Sequence, residues 1–99
     1  MLTINKTVEN EKAVLVLEGR LDTTTAPMLD KEIAQIAPDI NELVLDVAAI
    51  SYISSAGLRV LLAARKRMNP NGNMKVVNVG KSIHEIFQVT GFLSILNIE

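Results

Sequence analysis

Short apolar runs rich in Val, Ile and Leu alternate with segments that carry a single helical stripe, all within 99 residues. Leu2 to Val8 alternates apolar and polar residues, the pattern of a half-buried strand. After the polar turn Glu9–Lys12, the segment Ala13–Gly19 is nearly all apolar. That predicts a strand buried on both faces, paired with the first as a hairpin. Leu29, Ile33 and Ile36 then recur at helical spacing behind Ala26-Pro27, where a first-turn proline is tolerated. Pro38 disfavours helix at Ala37 and ends the element. Leu43–Val47 reads as a strand and Ile50–Ile53 as a short apolar connection. Leu58–Met68 reads as a helix with Leu58, Leu61, Leu62 and Met68 on one face. Asn69–Asn73 is a turn and Met74–Val79 a strand. Ser82-Ile83-His84-Glu85 has the form of a capping box, opening a helix with an inward stripe of Ile83, Ile86, Phe87 and Thr90. Gly91 is placed to end that helix in the left-handed conformation, with Phe92 folding back on the last turn. Leu93–Ile98 is a short terminal segment compatible with one more strand.

The order β-β-α-β-α-β-α predicts an α/β fold. Its sheet is mixed, with four to five strands, partly parallel through right-handed crossovers, and helices packed mainly on one face. The length fits a single domain over residues 1–99.

Ten Lys and Arg against eleven Asp and Glu leave a formal charge of −1, with no electrostatic drive toward nucleic acid or anionic lipid. Two Phe and one Tyr leave little on which to stack bases. The longest apolar runs, Ala13–Leu17 and Val60–Ala64, fall far short of the ~20 residues of a membrane helix. The N-terminus lacks the pattern of a signal peptide, and there is no cysteine. These features fit a cytoplasmic protein that does not engage a membrane.

The catalytic inventory is poor. One histidine cannot form a His pair for a metal, and no phosphate-loop motif exists. Ser55 is not in a nucleophile elbow, because position 53 is Ile. His84 reads as a solvent-facing helix residue, and Asp46 as a strand-end carboxylate held by backbone amides. No catalytic residue, metal or cofactor is expected, and the chain reads as a non-enzyme. Ser54-Ser55-Ala56-Gly57 is the unusual place. The plain reading makes Ser55 an N-cap that accepts the amide of Gly57 or Leu58. The small Ala56 and Gly57 leave the backbone open to approach, and a helix N-terminus stabilises phosphate. Phosphate on the serine would project a charge of about −2 into whatever docks there. Gly57 is expected on that docking surface, so Gly57→Leu is expected to cost affinity more than stability.

The run Asp46-Val47-Ala48-Ala49-Ile50-Ser51-Tyr52-Ile53-Ser54-Ser55-Ala56-Gly57-Leu58 resembles the central signature of the STAS domain family, the bacterial anti-sigma factor antagonists and their relatives. There an apolar strand and an aromatic residue lead into Asp-Ser-Ser/Thr/Ala-Gly-Leu. Gly19-Arg20-Leu21-Asp22 with Thr25-Ala26-Pro27 is similar to the family's Gly-x-Leu/Ile-Asp loop. Phe87 to Phe92 resembles its Phe-x-x-Thr/Ser-Gly-Leu ending. Three such pieces, in order, cover nearly the whole chain.

The resemblance implies a STAS-like fold and a phosphorylation-switched interaction module. Such a module binds an anti-sigma factor that is also a serine kinase while its signature serine is unphosphorylated, and so releases a sigma factor. Phosphorylation by that kinase ends binding, and a metal-dependent PP2C-type phosphatase restores it. The signature serine falls on Ser55. The partner-facing set is then Asp22, Thr24, Thr25, Ser54, Ser55, Ala56, Gly57 and Arg59, although Asp22 reads equally well as the cap of its turn. Two positions depart from the pattern: Ser54 replaces the signature Asp, and Arg59 stands where many phosphorylated members have Gly. Both changes ease the placing of a phosphate on Ser55, and they leave the type of kinase open. The alternative on the same fold is a constitutive scaffold or an accessory subunit of a transporter or stress-sensing complex; an intact Ser55 favours the switch.

Overall fold

The computed structural model describes residues 1–37, 39–68 and 72–99. The elements follow as β1 (Leu2–Glu9), β2 (Lys12–Leu21), α1 (Ala26–Ala34), β3 (Glu42–Ile53), α2 (Ser55–Met68), β4 (Asn73–Val77), α3 (Lys81–Thr90) and β5 (Asn97–Ile98), with a 3-10 turn at Phe92–Ser94. One five-stranded sheet holds the strands in chain order. β1 is antiparallel to β2, and β2 through β5 run parallel. This is the mixed α/β sheet that the order of elements predicts.

Each parallel connection steps to the neighbouring strand in the same direction, so right-handed crossovers put all three helices on one face. The burial pattern agrees. Ala13, Leu15 and Leu17 of β2 and Leu43, Leu45 and Val47 of β3 are buried with Leu29, Ile33, Leu58, Leu61, Ile83 and Phe87 from the helices. A fully buried Leu, Ile or Phe is worth roughly 1.5–3 kcal/mol relative to exposure. On the other face of β2, Val14 is half-buried while Val16 and Glu18 are exposed. The strand is therefore covered on one face rather than on both. Its continuous apolar run arises because β-branched residues also suit an open pleated face, where Val14 lies beside Val44 in the register.

β3 is one strand, where the sequence suggests a strand followed by a connection. Between Val16 and Glu18 of β2, β3 advances from Asp46 to Ala49, and between Gly19 and Arg20 it advances from Ile50 to Tyr52. Each shift inserts one extra residue. The bulges change the inward spacing from two to three, so Val47, Ile50 and Ile53 are the buried positions. The Asp46 carboxylate accepts the Ala48 N–H at 3.1 Å in the first bulge and the Asn78 amide at 3.0 Å, the structural role expected of it.

Several ends shift for physical reasons. α1 stops at Ala34, and the Arg67 guanidinium of α2 donates to the carbonyls of Ala34 and Ile36 at 3.1 and 3.3 Å. β4 stops at Val77, before Asn78 turns left-handed at φ 57°. α3 starts at Lys81 behind Gly80, which places Ser82 inside the helix, so the capping box does not form. Thr90 is exposed, and its hydroxyl donates back to the Ile86 carbonyl at 2.7 Å. Gly91 has φ 80°, the expected left-handed stop, and Phe92 packs on the core. Pro38 and the Asn69–Asn71 part of the predicted turn lie outside the described residues.

Candidate functional site

β4 pairs with β3 only as far as Asp46, so the rest of β3 continues beside β2 alone. The two strands end together, with Leu21 paired to Ile53. The Ser54 N–H extends that pairing to the Leu21 carbonyl at 2.8 Å. Two segments thus leave one point at the C-terminal end of the parallel strands: the Asp22–Thr25 turn and the start of α2. Binding sites of parallel sheets sit at this end.

The start of α2 differs from the expected cap by one residue. Ser54 is the N-cap: its Oγ accepts the Gly57 N–H at 3.2 Å, and its carbonyl accepts the Leu58 N–H at 2.9 Å. Ser55 is the first helical residue and is exposed. Among the described residues its hydroxyl has no hydrogen-bond partner, and the N–H groups of Ser55 and Ala56 are likewise open. Arg59 is exposed one helical turn further on, at the i+4 position that shares the face of Ser55. Ser54→Ala is therefore expected to cost about 1 kcal/mol in urea denaturation. Ser55→Ala is expected to stay within about 0.5 kcal/mol of wild type.

Gly57 faces inward, which overturns its expected place on the docking surface. It is buried, and a Cβ there would stand 2.8 Å from Leu21 Cγ, 3.0 Å from the Leu21 carbonyl oxygen and 3.1 Å from Ile53 Cγ2. The glycine lets α2 start tightly against the ends of β2 and β3. Thr25 is also buried rather than partner-facing. Its Oγ1 accepts the Asp22 N–H at 2.8 Å and donates to the Arg20 carbonyl at 2.8 Å, which closes the turn. Ala56 is half-buried, while Thr24 is exposed.

Asp22 caps its own turn. Its Oδ1 accepts the Thr24 hydroxyl at 2.8 Å and the Thr24 and Thr25 N–H groups at 3.1 Å each. The Thr24 hydroxyl and the Thr25 amide, in that order, lower its pKa from 3.8 to about 2. The folded value lies below the unfolded one, so this stabilisation is complete above the unfolded pKa of 3.8 and is lost as pH falls through about 2. The turn therefore carries a fixed negative charge at any pH near neutral.

Arg20 and Tyr52, which the sequence reading leaves out, complete the exposed rim. They are register partners on β2 and β3, with the guanidinium carbon 4.8 Å from the ring centroid. Arg20 Nε also lies 3.7 Å from Asp22 Oδ2. The sequence signal was an Arg beside the loop aspartate and a Tyr beside the serines, but only the bulged register aligns them. Gly19, just before, has φ 112°, and a side chain there would strike the Met1 carbonyl. His84 is exposed on α3, as expected. No helix among the described residues is long and apolar enough to cross a membrane.

Comparison with known proteins places this geometry. The STAS domain family model matches residues 3–99. The protein BtrV of Bordetella bronchiseptica is 33% identical over 87 residues, which is 86% of this chain and 75% of that protein. The anti-sigma-B factor antagonist of Bacillus subtilis is 28% identical over 92 residues, 91% of this chain and 84% of that protein. A crystal structure of an anti-sigma factor antagonist from Mycobacterium paratuberculosis superposes with a TM-score of 0.89 at 24% identity, over 99% of this chain and 85% of that one. With the family model matched across nearly its whole length, the chain belongs to the STAS domain family.

Proposed function

We propose that this chain is an anti-sigma factor antagonist, a protein-interaction module rather than an enzyme. In its unphosphorylated form it binds an anti-sigma factor that is also a serine kinase, and a sigma factor is released. Phosphorylation of Ser55 ends binding, and a PP2C-type phosphatase resets the module. The observation that carries this reading is Ser55 itself, exposed at the first position of α2 with a hydroxyl that has no partner among the described residues. Two open amides lie beside it, and Arg59 lies one turn away. The names of its relatives support the partner class.

The chemistry needs nothing from this chain except presentation. A kinase must reach the hydroxyl, and Ser55 offers it without breaking the cap, since Ser54 performs that task. The phosphate then lies at the positive end of the α2 dipole, with Arg59 to pair with it. Ser54, at the position of the signature aspartate, caps α2 without placing a charge beside Ser55. Exposed Thr24, Ser55 and Arg59, with half-buried Asp22, Ser54 and Ala56, form the docking surface, while Thr25 and Gly57 shape it from beneath. The test is incubation with ATP and the purified cognate anti-sigma factor, followed by fragment mass spectrometry. Phosphate is expected on Ser55; phosphate on Ser54 alone, or on neither, contradicts the assignment.

A further inference from the structure

Beside Ser54, on the rim formed by the last residues of β2 and β3, the Arg20 guanidinium is held from two sides. The Tyr52 ring lies 4.8 Å beneath its central carbon, and Asp22 Oδ2 lies 3.7 Å from Nε. Asp22 cannot swing away, because its other oxygen is bound by Thr24 and Thr25. Tyr52 is fixed through its backbone in the register opposite Arg20. The outer edge of the guanidinium stays open: the Arg20 side chain is 54% exposed, and among the described residues its Nη groups have no acceptor. The next residue along, Leu21, carries the carbonyl that anchors Ser54.

We infer that Arg20, stacked on Tyr52, is a specificity anchor that receives an Asp or Glu carboxylate of the anti-sigma factor. This inference rests on the proposed function and extends its docking surface past the α2 N-terminus to the adjoining end of the sheet. A guanidinium edge has the parallel donor geometry that matches a carboxylate in two hydrogen bonds, which an ammonium does not. Its stacking and its pairing with Asp22 reduce the side-chain freedom that docking must remove. Arg and Tyr that are exposed but already oriented are the residue types that dominate interface energetics. Asp22 supplies the fixed negative charge that orients the guanidinium, and it lies on the Nε edge, not on the edge offered to the partner. Arg59 has no such hold on its side chain among the described residues, and its place one turn below Ser55 suits the chain's own phosphate instead.

The experiment titrates the purified cognate anti-sigma factor with wild type, Arg20→Lys, Arg20→Gln, Tyr52→Leu, the combined Arg20→Gln and Tyr52→Leu variant, and Ser55→Glu, with urea denaturation of each variant. Arg20→Lys keeps the charge but loses the planar edge, and it is expected to weaken binding about tenfold. Arg20→Gln is expected to weaken it at least as much and to lower the salt dependence of binding. Tyr52→Leu is expected to weaken it several-fold, and combined with Arg20→Gln to add little. Denaturation midpoints are expected to stay near wild type, because both side chains are exposed. Arg20→Lys binding within twofold of wild type overturns the inference. So does Arg20→Gln leaving unphosphorylated binding intact while altering only the response to phosphorylation, which assigns Arg20 to the chain's own phosphate. Ser55→Glu reports separately on the switch: if it binds like wild type the switch fails, whatever the Arg20 variants do.

Discussion

Ser55→Glu is expected to weaken binding of the cognate anti-sigma factor by about 30- to 100-fold, a loss of roughly 2–3 kcal/mol. The carboxylate would stand at the exposed first position of α2, in the middle of the proposed docking surface. Docking would strip its water without supplying a partner charge. Arg59 and the open amides of Ser55 and Ala56 would offset part of this cost, so phosphate, with more charge and more volume, is expected to reduce binding further than Glu. Ser55→Ala is expected to bind within about twofold of wild type, because among the described residues the Ser55 hydroxyl caps nothing, and to resist phosphorylation, because the acceptor hydroxyl is gone. Titration by calorimetry, with melting curves as a folding control, measures both variants. Equal affinity for wild type and Ser55→Glu would contradict the switch.

Gly57→Leu is expected to cost about 3 kcal/mol of stability, because a well-packed site must absorb a whole side chain. Its first atom would already lie 2.8 Å from Leu21 Cγ and 3.0 Å from the Leu21 carbonyl oxygen. That carbonyl also accepts the Ser54 N–H, so relief of the clash would disturb the pairing that aligns the cap with the strand ends. For a domain of this size the change corresponds to a fall in Tm of more than about 10 °C. Gly57→Ala is expected to cost about 1 kcal/mol, through the same contacts with fewer atoms. An unchanged Tm together with lost affinity would return Gly57 to the surface role that the sequence alone suggests.

The fold was legible because its signals are periodic. The helical stripes of Leu29 and Ile33, of Leu58 and Leu61, and of Ile83 and Phe87 all point into one core. Where the structure differs from the pattern, the cause is a choice between neighbouring positions. Ser54 and Ser55 are both good caps, and only the hydrogen bond from the Ser54 N–H to the Leu21 carbonyl decides which one leaves the strand. Ser82 and Glu85 have capping-box spacing, but the helix starts a residue before Ser82 and leaves the box unused. Two one-residue bulges hid the length of β3, because they turn an alternating pattern into one of every third residue. The same bulges set Tyr52 opposite Arg20, so that pair was not visible in one dimension. Gly57 looked open because small residues suggest access; in the fold its missing side chain is filled by Leu21 and Ile53.

The most direct measurement is release of sigma factor from its complex with the cognate anti-sigma factor, with this chain added before and after stoichiometric phosphorylation at Ser55. The account predicts release by the unphosphorylated chain, loss of release once Ser55 carries phosphate, and recovery after a PP2C-type phosphatase removes it. Equal release by both forms, or by neither, would contradict it.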